Sequence, residues 1–182
     1  MIINDYIKDG DVLIKSITIE DCNDTYLGWL LDHDINQFLE TRWDNQSIDT
    51  IKCFVEKQIN SPDSYLFSIN FKDNNVYKHI GNIKIGPINF HYNCCDISYF
   101  IGEKSYHGQG IATRAIRLVS DYGFKTLNLH RIQASLFEEN IASKKALEKA
   151  GFVYEGMYHE KGISPITKKY CNLLIYYKLD NM

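Results

Sequence analysis

Proline is scarce in this sequence, at three in 182 residues, and so are the Pro/Ser-rich or low-complexity stretches that mark linkers. No internal repeat is visible. The chain therefore reads as one domain over residues 1–182, long enough to bury a real core. No run approaches the ~18 consecutive apolar residues of a membrane span. The opening "MIINDYIKDGD" lacks a basic region followed by an apolar stretch, so it does not read as a signal peptide. No membrane partner is expected, and a cytoplasmic location follows by default.

An excess of positive charge is missing too. Net charge is −3, with 20 Lys and Arg against 23 Asp and Glu, whereas binding a phosphate backbone needs a basic footprint. That argues against nucleic acid as a partner. The densest basic cluster, Lys168 and Lys169 with Lys161 nearby, reads as a solvated hairpin end. The five cysteines are Cys22, Cys53, Cys94, Cys95 and Cys171; their number is odd, and no C-x-x-C occurs. Neither a disulfide framework nor a zinc site is indicated. No metal is expected, and the thiols read as free and buried.

What is present in quantity is aromatic and β-branched material, including 13 tyrosines and 9 phenylalanines. "DVLIKSI" (Asp11–Ile17) alternates like a strand. "TIEDCNDTYLGWLLD" reads as one helix capped by Thr18, with Asp21 three residues on and Tyr26, Leu27, Leu30 and Leu31 as its apolar face. "SIDTIKCFVEKQIN" repeats the form, with Ile48, Ile51, Phe54, Val55 and Ile59 at helical spacing. "SYLFSINF", "YKHIGNIKIGPI" and "CCDISYFIG" are strands separated by turn clusters, which predicts an antiparallel meander. A helix from about Gly110 to Thr126 follows, then the strand "HRIQASLF". The next helix starts at Asn140, a good N-cap, and stops at Gly151, a good C′ residue. Two final strands around "GFVYEGMYHE" and "KKYCNLLIYYKL" close the order β-α-α-β-β-β-α-β-α-β-β. This is an α/β (α+β) fold, a mixed sheet with helices on its faces.

Chemistry concentrates in "HGQGIAT", His107 to Thr113. Two glycines after a strand can bring backbone N–H groups to the first turn of a helix, where unsatisfied donors and the helix dipole favour an anion. A structural glycine turn is the competing reading. It is not a P-loop, which needs Lys-Ser/Thr after its last glycine where this chain has Ile111 and Ala112. It is not a dinucleotide fingerprint, which needs a third glycine where Thr113 stands.

In order and spacing, three segments resemble the GNAT acetyltransferase superfamily, and within it the RimJ/RimL-like branch that includes ribosomal-protein N-terminal acetyltransferases. "LGWLLDHDINQFLETRW" resembles the branch's N-terminal "W-x-x-D-x-x-V-x-x-F/Y" segment. "DISYFIGEKSYHGQGIATRAI" resembles its "E-I-G-Y-x-I…W-G-K-G-Y-A-T-E-A" core. "ENIASKKALEKAGFVYEG" resembles its "N-x-x-S-x-x-x-x-E-K-x-G-F-x-x-E-G" signature. The resemblance covers nearly the whole chain and implies the GNAT acyl-CoA fold, a mostly antiparallel central sheet flanked by helices.

It further implies acetyl-CoA as cosubstrate. The diphosphate would lie on His107, Gly108, Gln109, Gly110, Ile111 and Ala112, with Thr113 beside them. The pantetheine arm would pair like a strand near Tyr99, Phe100 and Ile101, and Asn140 and Lys145 would flank the cofactor. The implied reaction is direct acetyl transfer to a primary amine, which must be neutral to attack. An α-amine, at pKa about 7.7–8.0, needs less help than a lysine at about 10.4. Developing charge on the carbonyl oxygen needs backbone donors, expected at the Phe100–Ile101 edge.

Many members of the family carry a tyrosine acid on the helix before "GF", but here that position is Leu147. The RimL-like pattern points to Ser143 of "N-x-x-S" instead, whose competing reading is a first-turn serine bonding locally. Asp96 is the favoured base. Glu160 matches a family carboxylate displaced by about two residues, and Glu103 reads as a solvated loop charge. A covalent route through Cys94 or Cys95 is not required. His107 and Asn172 depart from the family pattern.

Trp29, Phe38, Trp43 and Tyr92 are candidates for an acceptor pocket or for the core. The acceptor is a protein N-terminal amine, or else the amine of a small metabolite or nucleotide-linked amino sugar. A non-catalytic acyl-CoA sensor and an unrelated nucleotide-diphosphate binder are the competing classes. The expected assembly is a monomer or homodimer.

Overall fold

The computed structural model describes residues 6–180. Two short strands, β1 (Ile7–Asp9) and β2 (Val12–Ser16), begin it as a hairpin. After a 3-10 turn at Ile19–Asp21 come α1 (Asp24–Leu31) and α2 (His33–Asn36), a second 3-10 turn at Glu40–Trp43, and α3 (Ile48–Ile59). The meander is β3 (Tyr65–Asp73), β4 (Val76–Asn89) and β5 (Cys94–Ile101). A third 3-10 turn, Lys104–Tyr106, leads to α4 (Ile111–Lys125), β6 (Arg131–Phe137), α5 (Ile141–Lys149), β7 (Val153–Ile163) and β8 (Tyr170–Leu179).

The meander, both later helices and the closing strands lie where the sequence predicts them. The N-terminal region differs. Strand β1 lies in "MIINDYIKDGD", where no strand is expected. The single helix expected from Thr18 is split. Thr18 does bond with Asp21, its N–H donating to Asp21 Oδ2 at 2.9 Å. Asn23 then accepts from the N–H groups of Thr25 and Tyr26, so an Asn side chain captures the donors of a fresh helix start. Asp32 repeats the device for α2, its Oδ1 accepting from the Asp34 N–H. On α3 the buried apolar residues are Ile51 and Val55, while Phe54 and Ile59 are exposed. The helix packs on one side only, so its apolar stripe is narrower than the spacing predicts.

Among the described residues, eight strands form one sheet in the order β1-β2-β3-β4-β5-β6-β8-β7, antiparallel everywhere except β5 with β6. One core lies between the sheet and α4 and α5, built on Ile14, Ile69, Ile83, Ile116, Val119 and Ile132. Fully burying each such side chain stabilises the fold by about 1.5–3 kcal/mol. A second, smaller core under α1 and α3 holds Ile17, Tyr26, Trp29, Val55 and Leu66, with Phe100 packed against it. Among the described residues no helix is long and apolar enough to cross a membrane.

One irregularity positions the site. β5 and β6 pair only from Cys94–Asp96 to Arg131–Gln133. Beyond that point β5 keeps β4 and β6 keeps β8, so the two neighbours part and leave a cleft in mid-sheet. The Gly102 N–H donates to the Ile80 carbonyl at 2.8 Å. Bonded and non-bonded pairs alternate along an antiparallel ladder, so the backbone groups of Ser98 and Phe100 face β4. Those of Tyr99 and Ile101 face the cleft.

Candidate active site

The cleft runs from β5 directly into the glycine turn. Gly108 and Gly110 have φ of +76° and +74°, the left-handed region that favours glycine. A Cβ at either position would project into open space. Gly110 is the N-cap of α4, and among the described residues no side chain caps that helix, so the donors of its first turn remain available for an anion. His107 has its own partner: its Nε2 lies 2.9 Å from the Ile101 carbonyl oxygen, tying the turn back to the free edge of β5. Gln109 Nε2 donates to the Ser105 carbonyl at 2.8 Å, and Glu103 accepts from the Ser105 hydroxyl at 3.1 Å. Thr113 is buried, its hydroxyl 3.5 Å from the Ala146 carbonyl oxygen of α5.

Across the cleft stands the start of α5. Asn140 caps it, accepting from the Ser143 N–H at 3.1 Å. Ser143 Oγ lies 2.7 Å from the hydroxyl of Tyr99, which also reaches the Ser143 carbonyl oxygen at 3.2 Å. Burial pushes the Tyr99 hydroxyl up to about 12, with the bond to Ser143 acting in the other direction. Side chains alternate along a strand, so Asp96 lies on the opposite face from Tyr99. Asp96 is exposed and accepts from Gln133 Nε2 at 3.1 Å, at the last β5–β6 pair. The resemblance marks Tyr99 for its place beside the pantetheine arm and says nothing of its hydroxyl, whose partner lies 44 positions away.

The "Acetyltransferase (GNAT) domain" family matches residues 11–153. The chain belongs to the GNAT acetyltransferase family.

Among its relatives, a probable N-acetyltransferase, YjcK, of Bacillus subtilis is 51% identical over 61 residues, 34% of this chain and 33% of that protein. The spermidine N(1)-acetyltransferase of Escherichia coli K12 is 35% identical over 81 residues, 44% of this chain and 43% of that protein. These matches thus span about a third to under half of the curated relatives' lengths. The fold is that of the spermidine N-acetyltransferase of Vibrio cholerae, solved with CoA and spermine: TM-score 0.80, 22% identity, covering 94% of this chain and 96% of that one. It is equally that of the ribosomal-protein-S5-alanine acetyltransferase of Vibrio fischeri: TM-score 0.80, 21% identity, covering 98% of each chain.

Of the other expected residues of this GNAT chain, Glu160 is separated from the cleft. Glu160 lies on β7, with β8 and β6 between it and β5. It sits in a bulge at φ +48°, exposed, its N–H donating to Asn172 Oδ1 at 3.1 Å. Asn172, where the family pattern has an acid, also donates through Nδ2 to Glu138 at 3.3 Å. An aspartate could not make that bond. Leu147 is fully buried, and Lys145 is exposed on α5.

Trp29 belongs to the second core, its ring standing where a Cβ on Gly102 would project. Phe38 packs on Phe137, the Arg42 guanidinium lies 4.6 Å from the centre of the exposed Trp43 ring, and Tyr92 is exposed in the β4–β5 turn. Burial, helped by Asp96, pushes the Cys95 thiol up to about 12, which makes it a poor nucleophile. Among the described residues no group of His, Cys, Asp or Glu is gathered to hold a metal ion.

Proposed function

We propose that this GNAT chain transfers an acetyl group from acetyl-CoA directly to a primary amine. The observation that carries the reading is the free edge of β5 running into an uncapped, left-handed glycine turn. Such an edge offers hydrogen bonds to an extended, amide-bearing arm as an added strand would. The turn and the start of α4 offer N–H donors to a diphosphate. Gly108 to Thr113 would hold the diphosphate, Tyr99 and Ile101 the pantetheine arm, and Asn140 and Lys145 its flank. Phe100 contributes less, since its backbone faces β4 and its ring packs on the second core. The cosubstrate supplies an activated thioester; the chain orients it, shields it and handles protons.

Asp96 is the base. It stands at the apex of the cleft on the face opposite Tyr99, so an amine meets it from one side while the cosubstrate occupies the other. The Tyr99 and Ile101 N–H groups are the donors available to the carbonyl oxygen as charge develops. The relatives named as spermidine acetyltransferases favour a small amine as acceptor. The exposure of Asp96, Ser98 and Ser135 on the acceptor face keeps a protein N-terminus as the second reading. Mass spectrometry of a panel of polyamines, amino sugars and short peptides incubated with acetyl-CoA separates the two. Acetylated small amines with untouched peptides support the first reading, the reverse pattern supports the second, and no acetylated product from any amine overturns both.

A further inference from the structure

Tyr99 does more than its place in the strand requires. The backbone it lends to the free edge needs no hydroxyl, and a phenylalanine would pack there as well. Yet its hydroxyl crosses to the first turn of α5 and lies 2.7 Å from Ser143 Oγ. A serine in the first turn of a helix ordinarily spends its hydroxyl on nearby backbone; here Ser143 Oγ is engaged by a residue from another element. Its own N–H is held by Asn140, so both ends of the serine are fixed. Leu147 is apolar and buried at the position where the family's helix tyrosine stands, so α5 supplies no phenol of its own.

We propose that Tyr99 is a positioning residue for the leaving sulfur. It donates its hydrogen to Ser143 Oγ, which holds the serine hydrogen toward the cleft, where it meets the departing thiolate. The role rests on the acetyl-transfer reading above. As the tetrahedral intermediate collapses, the C–S bond breaks and its electron pair stays on sulfur. The proton lost by the amine leaves through Asp96 to water. Ser143 donates a hydrogen bond and keeps its proton, because full transfer along the pair would be uphill. Burial pushes the Tyr99 hydroxyl up to about 12, against about 8.5 for a thiol that behaves like cysteine. The alternative hydrogen arrangement, with Tyr99 donating to the Ser143 carbonyl 3.2 Å away, would use up the serine hydrogen on Tyr99. It is the arrangement the experiment must exclude.

The test titrates the thiol of bound CoA by its thiolate absorbance in wild type, Tyr99→Phe, Ser143→Ala and the double variant. It needs no turnover. A hydrogen bond to the charged form lowers a pKa. Removing one such bond raises it by about one unit. The bound thiol is therefore expected about one unit higher in Ser143→Ala, most of that shift again in Tyr99→Phe, and no further shift in the double variant. A Tyr99→Phe protein with wild-type thiol pKa beside a shifted Ser143→Ala protein would overturn the positioning role, as would four identical titrations. Failure of the wild type to bind CoA would instead remove the acetyl-transfer reading beneath it.

Discussion

His107 sits in the proposed binding turn with its side chain already engaged. Its ring is engaged by the Ile101 carbonyl, which leaves the backbone donors around it to meet an anion. An ordinary hydrogen bond contributes about 1 kcal/mol, so His107→Ala should weaken CoA binding by no more than about fivefold in a calorimetric titration. A loss of about a hundredfold would mean that the ring itself holds phosphate. Asn172 makes the complementary case. Asn172→Asp sets a carboxylate against Glu138 and removes a donor, and should cost about 1 kcal/mol of stability in urea unfolding. High salt should shrink the difference, because the repulsion is screened; an unchanged midpoint at low salt would contradict the contact. These two residues stand out in the sequence as departures from the family pattern. Their partners do not, because each is fixed by a contact between strands or loops that no local pattern encodes.

At the scale of elements, most of the fold was legible. Alternation marks the meander, helical spacing marks α3 to α5, and Asn140 and Gly151 bound α5 where cap chemistry says they should. The break after Thr18 was not legible, since two good caps lie five residues apart and the sequence does not say which wins. Nor was the parting of β5 from β6, which depends on β6 finding β8 as a partner much later in the chain. Gly102 shows what this geometry demands. It lets α1 approach the end of β5, with the Trp29 ring where a side chain would be. Gly102→Ala should lower stability by about 1–3 kcal/mol through overpacking. It should also weaken CoA binding, because the glycine turn begins a few residues on. A variant as stable as wild type in thermal melts would show that α1 is not pressed on that strand.

On the scale of the whole molecule, two cores on opposite faces of one sheet divide the labour. The larger fixes α4 and α5 on the face proposed for the cosubstrate, and the smaller fixes α1 and α3 on the face proposed for the acceptor. A titratable ring, His79, stands edge-on to Tyr26 and Trp29 of the smaller core. Burial holds His79 below its ordinary value of 6.5, although its bond to Asn82 partly opposes this. The unfolded chain therefore takes up a proton that the folded chain resists. The contribution of this ring to stability is full above about pH 6.5 and falls as pH drops from there toward the lower folded value. Urea midpoints measured between pH 7.5 and 5 should show this slope in wild type and a flatter one in His79→Gln; parallel curves would clear His79 of the effect.

The cosubstrate side offers the most direct test. Aspartate tolerates the left-handed backbone better than most residues, so Gly110→Asp should fold while setting a carboxylate where a diphosphate would lie. The measurement is free thiol released from acetyl-CoA in the presence of a panel of primary amines. Wild type should release thiol only when an amine is added, and Gly110→Asp should be slower by at least about tenfold, the loss of about 1.4 kcal/mol of binding. Thiol release that no amine provokes, or that proceeds equally in both proteins, would contradict an acetyltransferase whose cosubstrate rests on this turn.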